Sequence, residues 1–335
     1  MRPFATNAAA REWIAPARAG DALAFHRSIP GYAATPLAEV RPGVWVKDES
    51  DRFGLPAFKV LGASWAANVA IGSQLGLTPA PTFAELASRE TDVTLVTATD
   101  GNHGRALAWV ARQLGLNARI YVAGGLPDST IQAIRDEGAD VVETGAIYDD
   151  AVRMAAASGD LLIQDTAWDG YEAIPRAIVT GYSTLFAEID ERLTQDLVVV
   201  PTGVGSLLQA ALEHYRSADG PRPAVLAVEP VTAACVTASL AAGAPVSVDT
   251  SAPTIMAGLN CGTVSSIAWP AVRDGLDAAI GVTDDETRAA MRELHATGLA
   301  AGPCGAAALA GFDAAGLEAA TVVLVSTEGI AANSA

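Results

Sequence analysis

The chain has 335 residues, half of them hydrophobic, with 21 Lys and Arg against 38 Asp and Glu. That is enough apolar material for a large core and points to two subdomains. A formal charge of −17 repels phosphate backbones and argues against a nucleic-acid partner, and no apolar run reaches membrane-spanning length.

In chain order, Met1 to Ala10 shows no signal-peptide pattern. The segment Phe53 to Ser64 places one lysine, Lys59, among apolar and small residues before a helix-like run, Ala63 to Ala70. A charged lysine buried there is costly. Desolvation is expected to lower its pKa and favour the neutral amine that a Schiff-base lysine needs. Strands are expected at 92–97, 118–123, 140–144 and 161–165, with helices at 104–114, 129–137 and 147–158 between them. A second series follows: a helix at 178–193, a strand at 196–201, a helix at 207–216, and strands at 224–229 and 321–326. Strands separated by single helices imply βαβ units and parallel sheets. The expected division is residues 1–60 with 172–335 as the large subdomain and 61–171 as the small one.

Three turns can carry chemistry. Thr99-Asp100-Gly101-Asn102-His103-Gly104 links a strand to a helix, where free N–H groups and the positive helix end face a ligand. It also reads as an ordinary turn with Asp100 as the N-cap. Thr202-Gly203-Val204-Gly205-Ser206-Leu207 reads as a nest for phosphate oxygens without the lysine of a Walker loop. Gly203 and Gly205 followed by Glu229 also mimic a dinucleotide fingerprint, but Leu208 stands where the third glycine belongs. Ser326 and Thr327, in Ser326-Thr327-Glu328-Gly329, put hydroxyls at a strand's C-terminal end, where α/β sheets hold ligands. Cys235, Cys261 and Cys304 are scattered and suggest a reducing, cytoplasmic setting. His26, His103, His214 and His295 share no metal-ligand spacing with them, so no metal is expected.

Together these parts suit one ligand: an aldehyde for Lys59, a ring hydroxyl near Asn102, a phosphate for residues 203–207, and a ring nitrogen for Ser326 or Thr327. Pyridoxal 5'-phosphate (PLP) has all four. The chain resembles the fold-type II PLP enzymes, and within them the diaminopropionate ammonia-lyase family. The resemblance rests on residues 47–50 (KDES), 52–64 (RFGLPAFKVLGAS), 98–109 (ATDGNHGRALAW), 164–175 (QDTAWDGYEAIP) and 201–207 (PTGVGSL). Residues 227–230 (AVEP), 256–262 (MAGLNCG) and 326–329 (STEG) complete it. It departs from the family at Gly302-Pro303-Cys304-Gly305-Ala306, where Ser or Glu is more usual between the glycines.

The resemblance implies two three-layer α/β/α subdomains with mainly parallel sheets, the cofactor in the cleft between them, and a homodimer. It implies that Lys59 carries the cofactor and removes the substrate's Cα proton, and that Ser326 gives the ring nitrogen a neutral partner. It makes Asp100 a second base for the D-enantiomer or a binder of the β-ammonium. Asp165 is a further ammonium binder or a turn cap, and Ser64 with the 99–103 turn a donor to the substrate carboxylate. The expected reaction is α,β-elimination of 2,3-diaminopropionate, or a close analogue, to pyruvate and ammonia. Serine/threonine dehydration and β-replacement are the alternatives in the same cofactor class. A non-catalytic amino-acid-binding protein is the alternative outside it, which the retained Lys59 opposes.

Overall fold

Strands buried on both faces need no alternation of apolar and polar residues, and the long apolar runs of this chain behave that way. The computed structural model describes residues 2–17 and 20–332. Its strands, in chain order, are β1 (Phe4–Thr6), β2 (Leu37–Arg41), β3 (Val44–Asp48), β4 (Thr94–Thr99), β5 (Asn117–Val122), β6 (Asp140–Glu143), β7 (Leu161–Leu162), β8 (Leu197–Pro201), β9 (Ala224–Pro230), β10 (Ala278–Val282) and β11 (Val322–Ser326). They fall into two compact units. One draws on the described residues of Met1–Arg18, on Ala34–Asp51 and on Leu185–Ala331; the other draws on those of Ala19–Ala33 and on Arg52–Thr184.

The first unit holds a seven-stranded sheet in the order β1-β10-β9-β8-β11-β3-β2. Its inner pairings are parallel and only its two edge strands run antiparallel. Strands β8 and β11 are buried along their whole length. The helix Pro303–Ala315 packs its alanines and Leu309 against Val199, Leu226, Val228 and Leu324 of the sheet. A Cβ at Gly311 would stand 2.2 Å from Val228 Cγ2, so only glycine lets this helix lie so close. Each fully buried Val or Leu here contributes about 1.5–3 kcal/mol.

The second unit holds a four-stranded, wholly parallel sheet in the order β6-β5-β4-β7. Strand β7 therefore lies beside β4, although β5 and β6 intervene in the chain. Adjacent parallel strands end at the same sheet edge. The turn that follows Thr99 and the turn that follows Leu162 are neighbours for that reason.

Both series of strands and helices expected from the sequence are present, with shifted ends. The expected strand 161–165 pairs only through Leu162, because the Gln164 side chain takes over: its Oε1 accepts from the backbone N–H of Ala98 on β4 (2.9 Å). The helix expected at 178–193 runs Ala173–Asp190; Pro175 lies in its first turn, where no N–H is required. Strands β1, β2, β3 and β10 were not expected. Three of them are short or end on tight turns, and β10 carries a glycine. No helix among the described residues is long and apolar enough to cross a membrane, and no group of His, Cys, Asp and Glu there could hold a metal.

Candidate active site

Lys59 is the first residue of the helix Lys59–Gln74, whose N-cap, Phe58, makes no side-chain cap. The tight turn before it has Phe53 at φ 59° and Gly54 at φ 79°. A non-glycine residue in the left-handed region is strained, and Phe53 is held there by its ring contacts with Trp109 (5.2 Å) and Tyr32 (6.2 Å). Two glycines bring the next helix to the lysine. A Cβ at Gly62 would lie 2.5 Å from the Tyr182 ring, and one at Gly181 would lie 2.3 Å from the Leu61 carbonyl oxygen. The helices therefore touch backbone to backbone. The Lys59 Nζ lies 5.7 Å from the Phe58 ring centre and 5.9 Å from that of Tyr182, a cation–π setting.

The Lys59 ammonium donates to Asp165 Oδ2 (3.2 Å). Desolvation pulls its pKa down, but Tyr182, Asp165 and Asp100 pull it up, and the net shift is upward. This reverses the expectation of a lowered pKa: the apolar sequence around Lys59 gave no sign that two carboxylates from other elements converge on it. As it stands the amine is an ammonium and must shed a proton before it can attack an aldehyde.

The two carboxylates differ. Asp100 is pushed up by desolvation and by the Asp165 charge, against the pull of Lys59 and His103. Its side chain keeps solvent-exposed surface, which discounts the desolvation part. Asp165 feels desolvation upward too, but His103 and Lys59 overcome it and its pKa falls. Titratable pairs whose environments push them apart mark acid–base sites. Asp100 is also not a cap. The N-cap of Asn102–Leu114 is Gly101, at φ 147°, and the Thr99 hydroxyl accepts from the amides of Gly101 (2.9 Å) and Gly104 (3.0 Å). That leaves the Asp100 carboxylate for the cluster. Asn102 opens the helix beside it.

Ser64 lies elsewhere in this unit. It is fully buried, donates to the Leu61 carbonyl (3.4 Å), and has His26 Nε2 3.1 Å away. Residues without an assigned role in the sequence reading surround the cluster. His103 donates through Nε2 to the Ile163 carbonyl (2.7 Å). Burial pushes the Tyr182 hydroxyl up to about 12, and it pushes Tyr148 and Tyr171 higher still. Gln164 and Tyr171 lie within the motif that pointed to Asp165, but nothing in a single sequence separates them from their neighbours there.

The unit with the larger sheet carries the other residues singled out in the sequence. Strand β8 runs into Gly203–Gly205 and the helix Ser206–Tyr215, with Leu207 buried in its first turn. Gly205 has φ 100° and is the helix N-cap; no acidic side chain occupies the first turn. A Cβ at Gly203 would lie 2.9 Å from Cys261 Sγ. Val204 is exposed, and its carbonyl is tied to the Ser265 amide (2.8 Å). The amides of the first turn have no partner within the helix, so the loop offers N–H groups to an anion. Strand β11 lies beside β8 in parallel, so Ser326 ends at the same sheet edge. Ser326 and Thr327 are buried, and neither hydroxyl has a hydrogen-bond partner. Such orphans are rare and call for an explanation. Gly305 keeps the space open: its Cβ would fall 2.6 Å from Ser326 Oγ. The dinucleotide reading loses its acidic residue, because the fully buried Glu229 is spent on the amides of Val236 and Thr237 (2.8 Å each) and the Thr237 hydroxyl (2.7 Å).

A lysine, an anion-binding helix start and two buried orphan hydroxyls are the donor set that PLP requires. A sequence-family profile described as pyridoxal-phosphate dependent enzyme matches residues 29–328. The chain belongs to that family. Its cofactor is pyridoxal phosphate. The diaminopropionate ammonia-lyase of Salmonella typhimurium is 39% identical over 299 residues, covering 81% of this chain and 74% of that protein. The holo form of the Escherichia coli diaminopropionate ammonia-lyase superposes with a TM-score of 0.89 at 33% identity, covering 99% of this chain and 94% of that one. The same E. coli enzyme in complex with D-serine gives 0.87 at 31% identity, with the same coverage.

Proposed function

We propose that this PLP enzyme eliminates the β-ammonia from 2,3-diaminopropionate, or a close analogue, and that water hydrolyses the remaining enamine to pyruvate and a second ammonia. The observation that carries the reading is the meeting of Lys59 with two carboxylates of divergent acidity, Asp100 and Asp165. Bound PLP supplies the electron sink for the negative charge left on the substrate's Cα. Lys59 would hold the cofactor through Nζ and, once the substrate's amine displaces it, would be free to take the Cα proton of one enantiomer. Asp100, with its raised pKa, is the base for the other. Asp165 stays ionised and holds an ammonium of the substrate. The 203–207 amides and the Ser206 hydroxyl would hold the phosphate, Asn102 would serve the ring hydroxyl, and Ser326 with Thr327 would serve the ring nitrogen. A neutral hydroxyl there leaves the ring less electron-withdrawing than a carboxylate partner would. That favours prompt loss of a β-leaving group. A homodimer in the cytoplasm belongs to the same proposal.

The test is a visible spectrum of the purified protein before and after borohydride, followed by D- and L-2,3-diaminopropionate with pyruvate detection. A band that borohydride bleaches, a label on Lys59 and released pyruvate support the reading. A coloured protein inert to diaminopropionate overturns the substrate and moves attention to serine. That second reading has one observation behind it, the D-serine bound by the E. coli relative.

A further inference from the structure

The Gln164 side chain is fully buried, and all four hydrogen-bonding positions of its amide are used. Its Oε1 accepts from the Ala98 backbone N–H (2.9 Å) and the Thr97 hydroxyl (2.9 Å). Its Nε2 donates to the Tyr148 hydroxyl (3.0 Å) and to Asp165 Oδ1 (3.2 Å). A backbone N–H can only donate, so the oxygen must face Ala98 and the nitrogen must face Asp165. The orientation of the amide is thereby fixed by β4 itself.

We propose that Gln164 is the positioning residue for Asp165. It donates one hydrogen bond to Oδ1 and so aims Oδ2 into the Lys59 cluster, and it favours the carboxylate over the acid. Donation to the charged form is one of the three ways an acidity is set. The backbone on either side is anchored as well: the Gln164 amide donates to the Tyr171 hydroxyl (3.0 Å), which in turn donates to the Leu162 carbonyl (2.8 Å). The other titratable groups facing Asp165 are Lys59 and Tyr182 from the two crossing helices, Asp100 from the turn after β4, His103 from the first turn of the helix Asn102–Leu114, Tyr148 from the helix Tyr148–Ala156, and Tyr171. Of these, only Lys59 makes a direct hydrogen bond to the Asp165 carboxylate, on the oxygen that Gln164 leaves.

The inference deepens the reading that Asp165 handles the substrate, and its test separates the two. Gln164→Met removes the donor without adding charge. Gln164→Glu keeps an acceptor for Ala98 and Thr97, and so guards against a folding failure, but sets a second carboxyl against Asp165. Two readouts are needed: kcat/KM for diaminopropionate across pH, and the carboxyl titration of Asp165 by carbon-13 NMR, its signal assigned by loss in Asp165→Asn. Gln164→Met is expected to lower kcat/KM about tenfold, as losing a hydrogen bond to a charged group does. In the Asp165→Asn background it is expected to cost nothing further. The Asp165 titration moves upward in Gln164→Met, and by about a further pH unit in Gln164→Glu, where two carboxyls share a proton. Multiplying losses together with an unmoved titration overturn the positioning role. If Asp165→Asn alone leaves kcat/KM intact, the substrate role of Asp165 fails, while the NMR titration still decides whether Gln164 sets its acidity.

Discussion

Two lysines lie close together in this sequence and do opposite work. Lys47, on β3, is 1% exposed; its ammonium donates to Glu188 Oε2 (2.5 Å) and the Thr35 carbonyl (2.9 Å), with Glu49 Oε1 at 4.0 Å. Glu49 is held in turn by the Thr35 hydroxyl (2.6 Å), and its amide donates to the Ser326 carbonyl (2.9 Å). Lys59 keeps 28% of its side-chain surface and has one carboxylate at hydrogen-bond distance. Lys47 is sealed into a network that fixes the end of β11. Lys59 has one carboxylate partner and keeps part of its surface open. Burial alone therefore does not make a lysine reactive; what separates the two is whether the ammonium is enclosed by its acceptors.

The largest effect expected on that contrast is at Lys59. Lys59→Ala should lower turnover of every amino-acid substrate at least about a thousandfold, as loss of a covalent catalytic group does. Its thermal melt should stay near that of the parent. Residual turnover at a tenth of the parent rate would remove Lys59 from the chemistry. Lys47→Met should do the reverse and act through folding. It leaves Glu188 buried without its lysine, which costs about 3–5 kcal/mol. A denaturant titration reads this directly, and an unchanged midpoint would mean that the network is ornamental.

How far the sequence could show this varies by element. The alternation of apolar strands and periodic helices between residues 92 and 230 was legible because each strand is a short run rich in apolar residues, deepest in β8 and β9, and each helix ends at a glycine or polar turn. The cofactor was legible because lysine, glycine-rich turn and hydroxyl each occur in a distinct local string. Strand order was not. That β7 joins the sheet beside β4 is decided by tertiary pairing, and without it Asp100 and Asp165 have no reason to meet. The acidity of Lys59 was misread for the same cause: its local apolar setting predicts a fall, while charges arriving from two other elements produce a rise. Gln164 was invisible because its role lies in which atoms it satisfies.

Between these extremes stands Gly305, which tests whether the orphan hydroxyl of Ser326 is kept free for the cofactor ring. Gly305→Ala places a methyl 2.6 Å from Ser326 Oγ, and overpacking of this kind costs about 1–3 kcal/mol. The expected outcome is a modest loss in the melt of the cofactor-free protein and a larger loss of cofactor retention on dialysis. Equal losses in both would show that the contact is only structural.

The smallest effect, and the sharpest, separates the two carboxylates around Lys59. Asp100 is raised and Asp165 lowered. A carboxylate serves as a general base only when ionised. As pH falls, Asp100 is therefore protonated first. If it serves only one enantiomer, kcat/KM for that enantiomer alone should carry an acid limb that Asp100 sets. That enantiomer is expected to be D, and Asp100→Asn should reduce D-substrate turnover selectively. Superimposable acid limbs for the two enantiomers, with equal losses in Asp100→Asn, would return both proton transfers to Lys59 and leave Asp100 as a binder of the β-ammonium.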